Sequence, residues 1–170
     1  NKKYGSTNAP KQKKQKEFTK TLTVQAGDTV AIRHRLNDKK VRIYPEKMTD
    51  ADISGVAELE KLCFHHSAWT EQSLELLTKE GIGMGMVCRR DGHAVAYGGM
   101  LCVVDEGQIT NIATHPDYRR QGYASAVVEA LKKYAKNNRL DVVTLEVRES
   151  NAAAIKLYTS HGFKIDGKRR

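Results

Sequence analysis

Two stretches of this chain, residues 108–124 and 142–163, constrain its architecture most. Each runs a strand straight into a helix through residues suited to starting one. The first passes from Gln108 to Thr114 and on through Arg119-Arg120-Gln121-Gly122 to Tyr123-Ala124. Val127, Val128, Leu131 and Ala135 then recur at helical spacing, so a helix is expected from Tyr123 to Lys136, with Asn137-Asn138 as its stop. The second begins with the apolar run Val142–Val147, which reads as a buried strand. It continues into an Ala-rich helix from Asn151 to His161, ended by Gly162. Strands alternating with helices in this way point to an α/β fold.

The upstream half supplies the rest of a sheet. Val41–Tyr44 reads as a brief strand stopped by Pro45. Thr49-Asp50 can cap a helix to Cys63 whose apolar face is Ile53, Val56, Ala57, Leu59 and Leu62. Thr70 can cap a second helix, Glu71 to Lys79, with Leu74 and Leu77 inward. Gly83–Arg89 and His93–Val104 are expected strands joined at Asp91-Gly92, a strong hairpin signal. A turn at Asp105-Glu106-Gly107 leads to the strand ending at Thr114, and Phe163–Ile165 starts a last one.

Composition bounds the function. At 170 residues, 39% hydrophobic and 29% charged, the chain reads as one globular domain. No apolar run approaches the ~18 residues of a membrane helix, so a cytoplasmic protein is expected. Cys63, Cys88 and Cys102 lack metal-site spacing and read as free thiols, with no metal expected. The net charge of +9 is unevenly spread. Residues 1–40 hold 11 Lys and Arg against 3 Asp and Glu, whereas residues 41–170 hold 18 against 17. Residues 1–39 therefore read as a basic extension, with a short hairpin over Thr19–Val24 and Thr29–Arg35 about a Gln25–Asp28 turn. A hairpin alone is marginal, so it is expected to dock on a sheet of its own or a neighbouring subunit.

The Arg119–Ala124 loop is suited to an anion. Gly122 and Ala124 let main-chain N–H groups approach a phosphate, the helix dipole points its positive end there, and Arg119 and Arg120 add charge. Taken alone, the string is no more than a basic turn; the second stretch gives it meaning. Residues 41–166 resemble a GCN5-related N-acetyltransferase (GNAT), most closely the RimI type that modifies ribosomal-protein N-termini. The resemblance rests on Ile112-Ala113-Thr114, Arg119-x-x-Gly122-x-Ala124, Leu145-Glu146-Val147-Arg148-x-Ser150-Asn151, Ala154, Leu157-Tyr158 and Gly162-Phe163.

That resemblance implies a GNAT domain over residues 40–170, a mixed sheet flanked by helices in which a bulged Ile112 strand splays from the Val142 strand in a V. It implies acetyl-CoA as donor, with pyrophosphate on the amides of Arg120, Gln121, Gly122, Tyr123, Ala124 and Ser125. Pantetheine would pair near Ile112 and Thr114, the Ala113 amide would polarise the thioester carbonyl, and Asn151 would contact the pantetheine arm. Glu146 would be the general base and Tyr158 the general acid. Against these stand plainer readings: Glu146 in an ion pair with Arg148, and Tyr158 as a half-buried helix residue. His65, His66 and Trp69 are candidates for an acceptor pocket, or for a surface loop and a packed indole. His161 reads as a dipole-favoured helix end, not a base.

The family continues past Phe163 into a closing hairpin. The sequence ends at Arg170 and lacks that hairpin, so either it is a fragment or another element fills the place, with the N-terminal hairpin the candidate. Two functions stay open. One is acetyl transfer to a protein N-terminal α-amine, with a ribosomal protein as partner. The other is a CoA-binding module held on ribosome or RNA through the basic residues 1–40.

Overall fold

The computed structural model describes the backbone of residues 17–25 and 28–35 and the whole of residues 42–168. It falls into two compact units, residues 1–42 and 43–170. In the first, β1 (Glu17–Gln25) and β2 (Asp28–Arg35) pair antiparallel from Glu17↔Arg35 to Gln25↔Asp28. The expected hairpin is therefore present. Its turn residues 26–27 and the basic run Lys11–Lys16 lie outside the described residues.

The second unit is built on a five-stranded sheet in the order β3-β4-β5-β6-β7. The strands are β3 (Glu46–Lys47), β4 (Gly83–Arg90), β5 (His93–Val103), β6 (Glu106–Thr114) and β7 (Val142–Leu145). The first four pair antiparallel, and β6 and β7 run parallel, joined by a helix as parallel neighbours require. Helices α1 (Ile53–Phe64) and α2 (Glu71–Leu74) pack on one face, where Val56, Ala57, Leu59, Leu74 and Leu77 meet Val87 and Tyr97. Helix α3 (Tyr123–Asn137) covers the other, setting Val127, Leu131 and Ala135 against Met84, Ala96 and Met100. Buried on both faces, β4 and β5 are continuous apolar runs. Helix α4 (Ala152–Ser160) follows β7.

Local signals set most boundaries. The Thr70 hydroxyl accepts from the Ser73 amide at 3.2 Å and starts α2, which tightens into a 3₁₀ turn over Glu75–Thr78. Asp91 and Gly92 both take positive φ (49° and 79°), as the expected hairpin turn demands.

Four expectations are corrected. The turn after β5 is Val104-Asp105, not residues 105–107, because Glu106 already pairs with Val103 on one side and Val142 on the other. Val41–Tyr44 gives no strand at residues 42–44. The strand instead forms beyond Pro45, where Glu46 and Lys47 pair with Val87 and Met86 and Met48 donates to Gly85 O. Residues 163–165 form no strand, since among the described residues no neighbour pairs with them. Leu62 is not part of the α1 core face but 44% exposed; Glu60, fully buried, holds a place in that face instead.

Candidate active site

The sheet opens where β6 leaves β7. The two strands pair from Glu106↔Val142 to Ile109↔Leu145, and there β7 ends, while β6 runs on to Thr114 paired only with β5. Opposite Gly99, β6 carries two residues, Thr110 and Asn111, so one is extra; this bulge between Ile109 and Ile112 bends the strand away. Gly99 permits this, because a Cβ there would lie 2.7 Å from Thr110 Oγ1 and 2.6 Å from Leu77 Cδ1. Thr110 Oγ1 is buried without a partner among the described residues. The expected bulge and V-shaped splay are thus both present.

Hydrogen-bond phase decides which β6 groups face the opening. His115 N donates to Val95 O at 2.8 Å and Ala96 stands opposite Thr114. In an antiparallel ladder this turns the N–H and C=O of Ala113, opposite Tyr97, toward β5, and those of Ile112 and Thr114 toward the free edge. Thr114 O agrees, accepting from Cys63 Sγ at 3.4 Å and Arg119 Nε at 3.2 Å rather than from β5. The free edge suits the pairing expected near Ile112 and Thr114. It does not suit the polarising role expected of the Ala113 amide, which faces the sheet.

Beyond β6, the 3₁₀ turn Pro116–Tyr118 leads into the Arg119–Gly122 loop, where the phosphates were expected. Arg120 (φ 61°) and Gly122 (φ 94°) lie in the left-handed region, so the chain doubles back into α3. Gly122 is the N-cap, and no side chain caps the helix. Its first-turn amides at Tyr123, Ala124 and Ser125 therefore keep their donors for an outside anion. Arg119, Arg120 and Gln121 are exposed; Gln121 Nε2 donates to Asp117 O at 3.3 Å. Tyr123 is buried, its hydroxyl accepting from Arg90 Nε at 2.6 Å, with the Tyr118 ring edge-on at 5.9 Å. An uncapped helix start beside an unpaired strand edge fits a molecule that joins a pyrophosphate to an amide-bearing arm.

On the far side of the opening, Glu146 follows the last residue of β7 and is exposed. The expected strand to Val147 stops at Leu145 because β6 has already departed. Asn151 caps α4, its Oδ1 accepting from Ala154 N at 3.1 Å. The helix ends with Gly162 N bonding Thr159 O and Phe163 N bonding Tyr158 O, both at 3.1 Å, and this lays Phe163 edge-on against the Tyr158 ring at 5.7 Å. Burial raises the Tyr158 hydroxyl above the usual tyrosine value, so it holds its proton near neutral pH.

Other residues fall into place around this site. His65 and His66 form an exposed 3₁₀ turn after α1, and Trp69 packs against the α1 core. The cysteines are free; burial pushes the Cys88 thiol up to about 11, which leaves it unreactive. Sequence reasoning missed Glu60. This fully buried carboxylate accepts from the Tyr97 hydroxyl, from Asn111 Nδ2 at 2.9 Å and from Trp69 N at 2.8 Å. It thereby ties α1 to β5, to the bulge and to the loop before α2. Its spacing from Val56 and Ala57, on the same helical stripe, was the available signal.

The GNAT acetyltransferase family model matches residues 53–163. The chain belongs to the GNAT acetyltransferase family. It is an N-acetyltransferase, and its acetyl donor is acetyl-CoA. A candidate ribosomal protein bS18-alanine N-acetyltransferase of Bacillus subtilis is 35% identical over 77% of this chain and 87% of that protein. The crystal structure of the Escherichia coli ribosomal-protein-S18-alanine N-acetyltransferase superposes with a TM-score of 0.69 at 31% identity, covering 76% of this chain and 82% of that one. An aminoglycoside N-acetyltransferase solved with CoA shares the fold, with a TM-score of 0.65 at 13% identity over 76% and 92% of the two chains. Among the described residues no helix is long and apolar enough to cross a membrane.

Proposed function

We propose that this enzyme acetylates the N-terminal α-amine of a protein, with ribosomal protein bS18 as the acceptor, in the cytoplasm. The observation that carries this reading is the 35% identity to the candidate bS18-alanine N-acetyltransferase of Bacillus subtilis over most of both chains, beside the 31% identity to the Escherichia coli enzyme. When bound, acetyl-CoA supplies a thioester whose carbonyl carbon the amine attacks. Glu146 takes a proton from the amine, and Tyr158 gives its phenol proton to the departing sulfur as the C–S bond breaks. A peptide α-amine has a pKa of ~7.7–8.0, so a modest base suffices at neutral pH. The phosphates rest on the amides from Arg120 to Ser125, and Asn151 meets the pantetheine arm. The pantetheine amides pair with Thr114 at the free edge. The Ile112 N–H, nearer the apex of the splay, takes the polarising role, at a rate gain of ~10²–10³ if it acts as oxyanion donors do elsewhere.

The test is mass spectrometry of two peptides incubated with acetyl-CoA. One carries the bS18 N-terminus; the other has the same sequence with a blocked α-amine and a free lysine. Acetylation of the first alone is the expected result, and acetylation of the lysine peptide at an equal rate contradicts it.

The charge of residues 1–40 favours a second reading beside this one, in which the extension holds the enzyme on ribosomal RNA. Salt-sensitive RNA affinity without turnover of either peptide would make that the primary role.

A further inference from the structure

Where α4 ends, His161 meets α3 in an arrangement that the reaction as described does not use. Its ring, 11% exposed, has Nε2 2.6 Å from Ser125 Oγ and Nδ1 2.5 Å from Glu129 Oε1. Lys132 Nζ completes the cluster, donating to His161 O at 2.7 Å and to Glu129 at 3.1 Å. Ser125, Glu129 and Lys132 form one stripe of α3, and Ser125 lies in its first turn, on the phosphate loop. The charged groups facing the ring are Glu129 and Lys132, both from α3. Tyr158, the nearest titratable residue on α4, turns its ring onto Phe163.

The polarity of this chain of bonds depends on one proton. With a neutral imidazole, Nδ1–H donates to the Glu129 carboxylate and leaves Nε2 as an acceptor. The Ser125 hydroxyl must then donate inward to Nε2 and has only lone pairs to turn toward an anion. With an imidazolium, both ring nitrogens donate. Ser125 Oγ then accepts from Nε2–H, and its own O–H is released to donate outward. Glu129 suits the charged form, because the His161 and Lys132 hydrogen bonds hold its carboxyl below the usual glutamate value.

We propose that His161 is a proton-linked positioning residue for the cofactor: its charge sets the direction of the Ser125 hydrogen bond, and so whether the Ser125 hydroxyl is offered to a phosphate of CoA. This rests on the proposed seating of the pyrophosphate at the start of α3. CoA binding and protonation of His161 then favour each other, so affinity rises as pH falls.

Calorimetric titration of CoA at pH 6 and pH 8 tests this on wild type, His161→Gln and Ser125→Ala. CoA's own phosphate titration is common to all three. Wild type should tighten from pH 8 to pH 6 by about tenfold more than His161→Gln does, the increment one charge-assisted hydrogen bond supplies. Ser125→Ala should lose the same increment although His161 is intact, which a purely structural latch would not cause. It also keeps the test decisive if the histidine variant folds poorly. Equal slopes in wild type and His161→Gln, or an undiminished slope in Ser125→Ala, overturn the proposal. Gly122→Val separates this from the seat itself: lost CoA binding at both pH values upholds the seat, and retained binding overturns seat and proposal together.

Discussion

Tyr158 combines a covered ring with a hydroxyl that keeps its proton, the state a general acid must start from. Replacing it by Phe retains the ring that packs on Phe163 and removes only the hydroxyl. Turnover should fall ~10²–10⁴-fold in Tyr158→Phe and by a comparable factor in Glu146→Gln. CoA affinity should stay within a few-fold in both; steady-state kinetics at saturating substrates check this. Near-normal rates in both variants would mean that positioning a neutral amine is enough. Glu60 makes a contrasting case, a carboxylate with no exposure and three donors. Glu60→Leu strands the Tyr97 hydroxyl, the Asn111 amide and the Trp69 N–H without an acceptor. It should cost at least ~2 kcal/mol, read as a lowered denaturation midpoint. Glu60 could have been placed by its helical spacing, whereas the three partners, distant in sequence, could not.

Between elements, the start of α1 is held to β4 by charge. Arg89 reaches both Asp52 oxygens at 2.6 Å through Nη2 and contacts Glu46 on β3. Burial pushes the Asp52 carboxyl up, but the Arg89 hydrogen bond and charge, with the Thr49 amide, outweigh it and leave the carboxyl below its ordinary value. A depressed folded pKa stabilises fully above the unfolded value of about 3.9, and that contribution is lost as pH falls through the folded value. Asp52→Asn should therefore cost ~1–3 kcal/mol near neutral pH. The gap from wild type should shrink below about pH 4, as denaturant melts at pH 3 and pH 7 would reveal. The same scale explains what the sequence made legible. Helices α1 and α3 are carried by periodic residues within one segment and fell close to where their patterns put them. Strand ends did not: β7 stops at Leu145 because β6 departs at Ile109, and β3 forms past Pro45 because β4 offers partners there. Local pattern holds no record of a partner's position.

In the second unit the proposed site draws on three separate elements: the free edge of β6, the uncapped start of α3, and the β7–α4 segment with Glu146 and Tyr158. The Arg119–Ala124 turn into α3 and the capped start of α4 at Asn151 were legible because each signal is short and contiguous. The orientation of the Ala113 amide and the His161–Ser125–Glu129 bonds were not, since they depend on ladder phase and on two helices meeting. Hydrogen–deuterium exchange with and without CoA, read across the chain by mass spectrometry, tests the joined account most directly. Slowed exchange should appear in peptides covering residues 110–125 and 151–158, with residues 83–103 unchanged. Protection elsewhere, with residues 110–125 exchanging as in the free protein, would contradict it.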